Sequence, residues 1–202
     1  IIDKNTLNFN SCADVGCGSG RILNLLSNVY PNIKFTGYDI HDELEKFWKN
    51  NKKLNLNFNK KHLMEIKNYY DLILCIDVFE HVEDYIGFLK TLKNKSKYHI
   101  FNIPLDMCAL KVFGKGMSNA RENVGHLHYF NKFTAISALN DCDYKIIDFK
   151  LNPGFMFEKN RNFLQKIFLL PRYFFYFISP NIAAELLGGV SLTVLTKNEN
   201  QK

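Results

Sequence analysis

Apolar positions along the chain fall in short blocks whose spacing switches between a period of about two and a period of about 3.6, so strands and helices are expected to alternate. Residues 11–15 read as a first strand. Residues 21–28 read as a helix that places Ile22, Leu25, Leu26 and Val29 on one face. Residues 33–39 predict a second strand and 42–50 a helix. Residues 54–59, where apolar residues alternate with Asn, predict a half-exposed third strand. The run Asp71-Leu72-Ile73-Leu74-Cys75-Ile76-Asp77 is apolar without interruption between two acids, the signature of a strand covered on both faces of a parallel sheet. A helix over 82–92 follows, then a fifth strand over 98–103 stopped at Pro104, then a helix over 133–139 with Asn131 as its N-cap. Residues 144–151 and 190–196 complete the set of strands. Such alternation predicts an α/β fold, with residues 1–202 forming one domain around a doubly wound sheet.

Residues 155–188 depart from this rhythm. The segment is aromatic-rich and helical in pattern, and contains Phe168-Leu169-Leu170-Pro171-Arg172-Tyr173-Phe174-Phe175-Tyr176-Phe177. Lys166, Pro171, Arg172, Pro180 and Glu185 cut it into pieces too short to cross a bilayer of roughly 30 Å, so no transmembrane span is expected. Residues 163–187 within it predict two short helices packed on the sheet over a ligand pocket, with peripheral contact at a membrane surface as the lesser reading.

Composition changes this picture little. Of 202 residues, 47% are hydrophobic and 23% charged, proportions of an ordinary globular chain. The net charge of +6 is spread over scattered Lys residues with no basic tail, which argues against nucleic acid as the partner. The start Ile1-Ile2-Asp3, without methionine, reads as an excerpt, and no basic-then-apolar leader pattern is visible. Five cysteines, an odd number without a Cys-x-x-Cys pair, predict free thiols and a reducing, cytoplasmic location. Cys17, His126 and His128 match no zinc-ligand spacing, so no metal is expected.

The chemistry concentrates in Ala13-Asp14-Val15-Gly16-Cys17-Gly18-Ser19-Gly20-Arg21, between the first strand and the first helix. A turn without β-carbons lets a ligand lie against backbone. A dinucleotide turn of the form G-x-G-x-x-G would need glycine where this chain has Arg21. Asp39, in Gly37-Tyr38-Asp39 at the end of the second strand, is placed to take both hydroxyls of a ribose. Asp14 beside the loop would repel a pyrophosphate and attract a sulfonium or ammonium group. The expected ligand carries adenosine and positive charge.

Taken together, Asp14 to Gly20, Gly37-Tyr38-Asp39, Asp71 to Val82, Gly125-His126-Leu127-His128-Tyr129-Phe130 and Leu187-Gly188-Gly189 resemble the successive motifs of the class I S-adenosylmethionine-dependent methyltransferases, in their small-molecule branch of ubiquinone and sugar type. The resemblance implies a Rossmann-like, doubly wound sheet of seven strands, mostly parallel with an antiparallel last strand and helices on both faces. It implies S-adenosyl-L-methionine as cofactor and S-adenosyl-L-homocysteine as product. The residues it assigns to the cofactor are Asp14, Gly16, Cys17, Gly18, Gly20, Asp39, Ile40, Asp77, Val78 and Phe79, with Asp77 to Phe79 bordering the transferring methyl and the 155–188 segment covering the acceptor side. Two departures stand out. Lys60-Lys61-His62-Leu63 occupies the place where such chains commonly hold an acid for the adenine amine, which leaves backbone groups, Leu63 and Met64 to hold the ring. Residues 1–10 are too short for the helix that usually precedes the first strand.

A general base is needed only for a poor nucleophile such as a hydroxyl, and His81, His126 and His128 are the candidates, since imidazole titrates near neutral pH. No Asn/Asp-Pro-Pro-aromatic turn follows the fourth strand, which disfavours methylation of a nucleic-acid amine. The acceptor expected is a small molecule, apolar, sugar or lipid-linked, methylated on oxygen in preference to nitrogen. The competing readings are an NAD(P)-dependent oxidoreductase on a related sheet and a non-catalytic or RNA-binding module.

Overall fold

The computed structural model describes residues 1–49, 51, 53–157 and 163–198. Seven strands, β1 (Ser11–Val15), β2 (Lys34–Asp39), β3 (Leu56–Lys60), β4 (Tyr70–Ile76), β5 (Ser96–Pro104), β6 (Lys145–Asn152) and β7 (Ser191–Lys197), form one sheet in the order β3-β2-β1-β4-β5-β7-β6. The pairings from β3 through β5 are parallel; β7 runs antiparallel to both β5 and β6. The order reverses between β1 and β4, and the loops leaving the carboxyl ends of these two strands part there to leave a crevice.

Alternation along β4 shows how the core is built. Ile73 and Cys75 point into one apolar layer with Phe79, Leu89, Phe101 and Leu139; Leu72 and Leu74 point into the other with Leu23, Phe35 and Trp48. Both faces are covered, so the unbroken apolar run is accounted for. The Asn131 cap is present: its side chain accepts from Thr134 N at 2.9 Å and starts α6 (Lys132–Asp141).

Several boundaries differ from expectation. Helix α1 (Arg21–Val29) buries Leu23 and Ser27, while Ile22, Leu25 and Val29 are exposed. Lys53 explains the rotation, since its Nζ donates to Ser27 Oγ (2.9 Å) and Asn24 O (2.7 Å) and gives a polar residue a satisfied inward position. The helix expected over 42–50 is a 3-10 turn, Asp42–Leu44, followed by α2 (Glu45–Trp48); Asn50 lies outside the described residues. A 3-10 turn, Phe79–His81, delays α3 to Tyr85–Lys93, where Asp84 caps by accepting from Gly87 N at 2.8 Å. Helices α4 (Ala109–Val112) and α5 (Gly116–Val124) stand where no element was expected, because α4 is a single turn too short to show a period and α5 is mostly polar. Instead of two helices, residues 163–187 hold α8 (Phe163–Ile167), α9 (Leu169–Ile178) and α10 (Pro180–Leu186), preceded by α7 (Gly154–Phe157), with residues 158–162 outside the described set. Pro171 sits in the first turn of α9 and Pro180 opens α10, positions that need no backbone N–H. No helix among the described residues is long and apolar enough to cross a membrane.

Candidate functional site

The turn after β1 is held tightly from below. Gly16 N and Cys17 N both donate to Tyr38 O, at 2.8 and 3.0 Å, which ties the turn to β2. Gly16 has φ +79°, and a β-carbon there would lie 2.5 Å from Val78 Cγ2. Gly20, at φ +77°, would bring one to 2.3 Å from the Phe58 ring. Phe58 in turn stacks on Trp48 with centroids 5.4 Å apart, and Trp48 Nε1 donates to Gly18 O at 3.0 Å. The loop therefore rests on an aromatic pair and presents bare backbone above.

Asp39 closes β2 beside this turn. Its Oδ2 accepts from Gly18 N at 2.9 Å, and its Oδ1 accepts from Ile40 N at 2.7 Å and His41 N at 3.2 Å, with His41 Nδ1 at 2.9 Å. Burial pushes its pKa upward, but the hydrogen bonds from His41, Gly18 and Ile40 outweigh that and hold it below the ordinary carboxylate value. Asp39 is thus charged at neutral pH. Asp14 behaves otherwise. It is 1% exposed, its Oδ1 has no hydrogen-bond partner, and burial together with the nearby Asp39 charge raises its pKa to about 7. The expectation that both acids present charge to the ligand is therefore corrected: Asp39 stands on the rim and Asp14 lies one layer beneath.

The end of β4 is the third component. Asp77 adopts φ +53°, a left-handed conformation rare outside glycine, and Asn102 holds it there through Nδ2 to Asp77 Oδ1 at 2.7 Å. Asn102 is fixed by Ser191 and Thr193 of β7, whose hydroxyls lie 3.1 and 2.9 Å from its Oδ1. The left-handed residue turns the chain sharply, so Val78 faces the crevice and Phe79 turns into the core.

Between these elements lies a crevice of about 540 Å³, lined by Gly16, Tyr38, Asp39, Ile40 and His41 from the first half and by Asp77, Val78, His81, Val82, Phe88 and Val124 from the second. Lys61, His62 and Leu63 line it after β3. Met64 is outside this lining and exposed. Gly18 and Gly20 act from below as described. Two further expected cofactor residues are placed elsewhere. Phe79 is fully buried against Phe101, Phe130 and Tyr85, and Cys17 is buried with its Sγ 2.8 Å from where a β-carbon on Gly37 would stand.

The histidines separate likewise. His81 lines the crevice, its Nδ1 3.1 Å from Gly125 O. His126 lies behind it with ring centroids 4.8 Å apart and Nδ1 2.6 Å from Asp106 Oδ2. That hydrogen bond raises the His126 pKa. His128 turns away: its Nε2 lies 2.9 Å from Val82 O and 3.1 Å from Glu83 O, and its ring packs on Tyr85. It fastens two loops. Glu80 and Asp106 escape sequence reasoning, although Glu80 adjoins His81 and is fully buried with its pKa raised by burial to about 8. An acid inside an apolar block was the available signal.

Asp14 makes a pH prediction. Its folded pKa lies above its unfolded value, so the native state retains a proton that the unfolded chain gives up, and stability falls as pH rises from about 4 to about 7. Denaturant unfolding at pH 5 and pH 8 is expected to show Asp14→Asn gaining about 2 kcal/mol on the parent protein across that interval. Parallel behaviour of the two proteins would refute the assignment.

A family model described as a methyltransferase domain matches residues 5–148. The tRNA U34 carboxymethyltransferase of Campylobacter curvus (strain 525.92) is 36% identical over 90 residues, 42% of this chain and 30% of that relative, so the match spans less than a third of its length. Among solved structures, magnesium protoporphyrin IX methyltransferase from Synechocystis PCC 6803 with bound SAH matches with TM-score 0.62 and 15% identity over 98% of this chain and 77% of its own. The N-methyltransferase NodS from Bradyrhizobium japonicum WM9, in complex with S-adenosyl-L-homocysteine, matches with TM-score 0.61 and 12% identity over 97% and 81%. At these identities the likeness is one of fold.

Proposed function

The chain belongs to the methyltransferase domain family, and on that premise we propose that it transfers a methyl group from S-adenosyl-L-methionine to an oxygen of a small-molecule acceptor. The single observation that carries this reading is Asp39: a charged carboxylate on the crevice rim, oriented by the backbone of the glycine turn.

The side chains fit such a cofactor. Asp39 accepts from ribose hydroxyls, Gly16 offers bare backbone to the methionine end, and Lys61 to Leu63 flank the adenine with Leu63 as the apolar floor. Arg21 stands where a dinucleotide turn needs its third glycine, which disfavours a nicotinamide cofactor. When bound, the cofactor supplies an electrophilic methyl on a positively charged sulfur. Asp77 and Val78 border it. Val82, Phe88 and Val124 line the β4 side of the crevice, which excludes water and holds the acceptor near attack distance. His81, held through Nδ1, lines that end of the crevice, where a hydroxyl acceptor gives up its proton.

The volume of about 540 Å³ has room for a small acceptor beside the cofactor. Residues 1–202 act as one domain; α10 contacts α4, while no described residue of α7–α10 lines the crevice, so the aromatic segment packs beside the site and does not cover it. Leu170, Phe174, Phe177 and Ile178 form an exposed apolar stripe on α9, which supports an apolar or lipid-linked acceptor and peripheral contact with a lipid surface. Five buried, unpaired cysteines support the cytoplasm as the compartment.

Calorimetric titration tests the cofactor, with saturable binding of S-adenosyl-L-methionine and of its demethylated product expected and NADH inert. Absence of binding for both rejects the reading. Incubating labelled cofactor with a cell extract tests the acceptor: label is expected in a low-mass, base-stable product, and label in tRNA would replace the small-molecule acceptor. In that assay His81→Ala is expected to lower turnover by about 10²-fold, while His128→Ala stays within a few-fold of the parent. Equal losses in both variants would remove His81 from the acceptor end.

A further inference from the structure

Three side chains from two distant stretches converge at the β4 end of the crevice: Glu80 and His81 in the turn after β4, and His126 just beyond α5. One ligand-type atom from each lies within 4.8 Å of the others. Backbone pairing enforces the meeting, since Leu127 N and His128 N both donate to Glu80 O, at 2.8 and 3.1 Å. Each imidazole is anchored through Nδ1, His81 on Gly125 O at 3.1 Å and His126 on Asp106 Oδ2 at 2.6 Å. Lys111 steadies Asp106 from the other side. Anchoring at Nδ1 leaves Nε2 as the free lone pair of each ring, and His81 Nε2 is 3.9 Å from Glu80 Oε1.

Glu80 supplies the independent observation. Its side chain is fully buried, and neither carboxylate oxygen has a hydrogen-bond partner. A carboxyl so placed is costly to the fold as an anion unless a proton or a cation neutralises it, and two imidazoles beside it supply the partners a cation needs. Two imidazole nitrogens and one carboxylate oxygen form a donor set that suits a divalent transition metal with open coordination positions. A carboxylate behind a ligating histidine, as Asp106 stands behind His126, fixes the ring's tautomer and orientation for such an ion.

We propose that Glu80, His81 and His126 form a binding site for a divalent transition-metal ion at the acceptor end of the crevice. The open positions face the crevice on the side that His81 lines and take an oxygen of the acceptor. This last role rests on the methyl-transfer reading; ion binding itself does not. It also gives Glu80 and Asp106 a purpose that methyl transfer alone leaves unassigned.

The test uses untagged, chelator-treated protein with neither cofactor nor acceptor present. Titration with Co²⁺, followed by visible absorption, is expected to saturate at one equivalent, and Zn²⁺ is expected to displace it. Asp106→Asn is expected to weaken Co²⁺ binding about 10- to 100-fold, and Glu80→Gln by at least as much. His81→Ala removes a partly exposed ligand and serves as the variant that keeps its fold, checked by circular dichroism; it too should lose at least tenfold in affinity. Failure of the parent protein to bind either ion up to about 1 mM, or equal binding by the parent and His81→Ala, overturns the proposal. Binding of S-adenosyl-L-homocysteine is measured on the same samples. Loss of ion binding with that affinity intact counts against the metal site alone, whereas failure to bind the nucleoside counts against the methyltransferase reading.

Discussion

Alanine in place of Asp39 is expected to cut affinity for S-adenosyl-L-homocysteine by on the order of 10²–10³-fold, because two hydrogen bonds to a charged group are worth about 3–4 kcal/mol together. The geometry favours a large effect. Asp39 is already oriented by Gly18 N, Ile40 N and His41, so a ribose meets an acceptor that needs no rearrangement. Its charge is secure at neutral pH, since those donors hold its pKa below the usual range against the opposing effect of burial. Calorimetry on the parent and Asp39→Ala proteins checks this, with thermal unfolding alongside because the substitution also orphans three backbone N–H groups. A change under about fivefold in a folded variant would mean that the ribose is held elsewhere.

Truncating Phe79 to alanine is expected to cost about 3–5 kcal/mol of stability, the usual range for emptying a buried aromatic site. The ring is fully buried, with centroids 5.2 Å from Phe130 and 6.1 Å from both Phe101 and Tyr85. These contacts join β4, β5, α3 and the loop before α6, so the cavity would open where four elements meet and could collapse little. Val78→Ala makes the contrast. It removes a crevice-lining side chain and should weaken nucleoside binding while costing about 1 kcal/mol or less. Urea unfolding and calorimetry on both variants separate the two roles; a Phe79→Ala protein as stable as the parent would contradict the packing described.

These adjacent residues show where sequence reading stops. The position of the fourth strand, its burial on both faces and its acidic end were legible in Asp71 to Asp77 because an unbroken apolar run has few other uses. The direction of the next two side chains was not, because it depends on the left-handed turn at Asp77, and that conformation is held by Asn102 and, through it, by β7 at the far end of the chain. Helix α1 teaches the same lesson. Its extent followed from the apolar spacing, whereas the face it buries was decided by Lys53 reaching in from the loop before β3.

Local chemistry alone determined the strand-and-helix succession, the glycine turn that needs backbone without side chains, the Asn131 cap and the acid closing β2, since each follows from steric or hydrogen-bonding rules that act within a few residues. Tertiary structure decided which of two early acids keeps its charge, which histidines share a site, and that Glu80 and Asp106 belong with them. Charge state depends on burial, and convergence of residues some 45 positions apart depends on how loops pack over the sheet. Neither quantity has a period or a motif, and both arise only when the chain closes on itself.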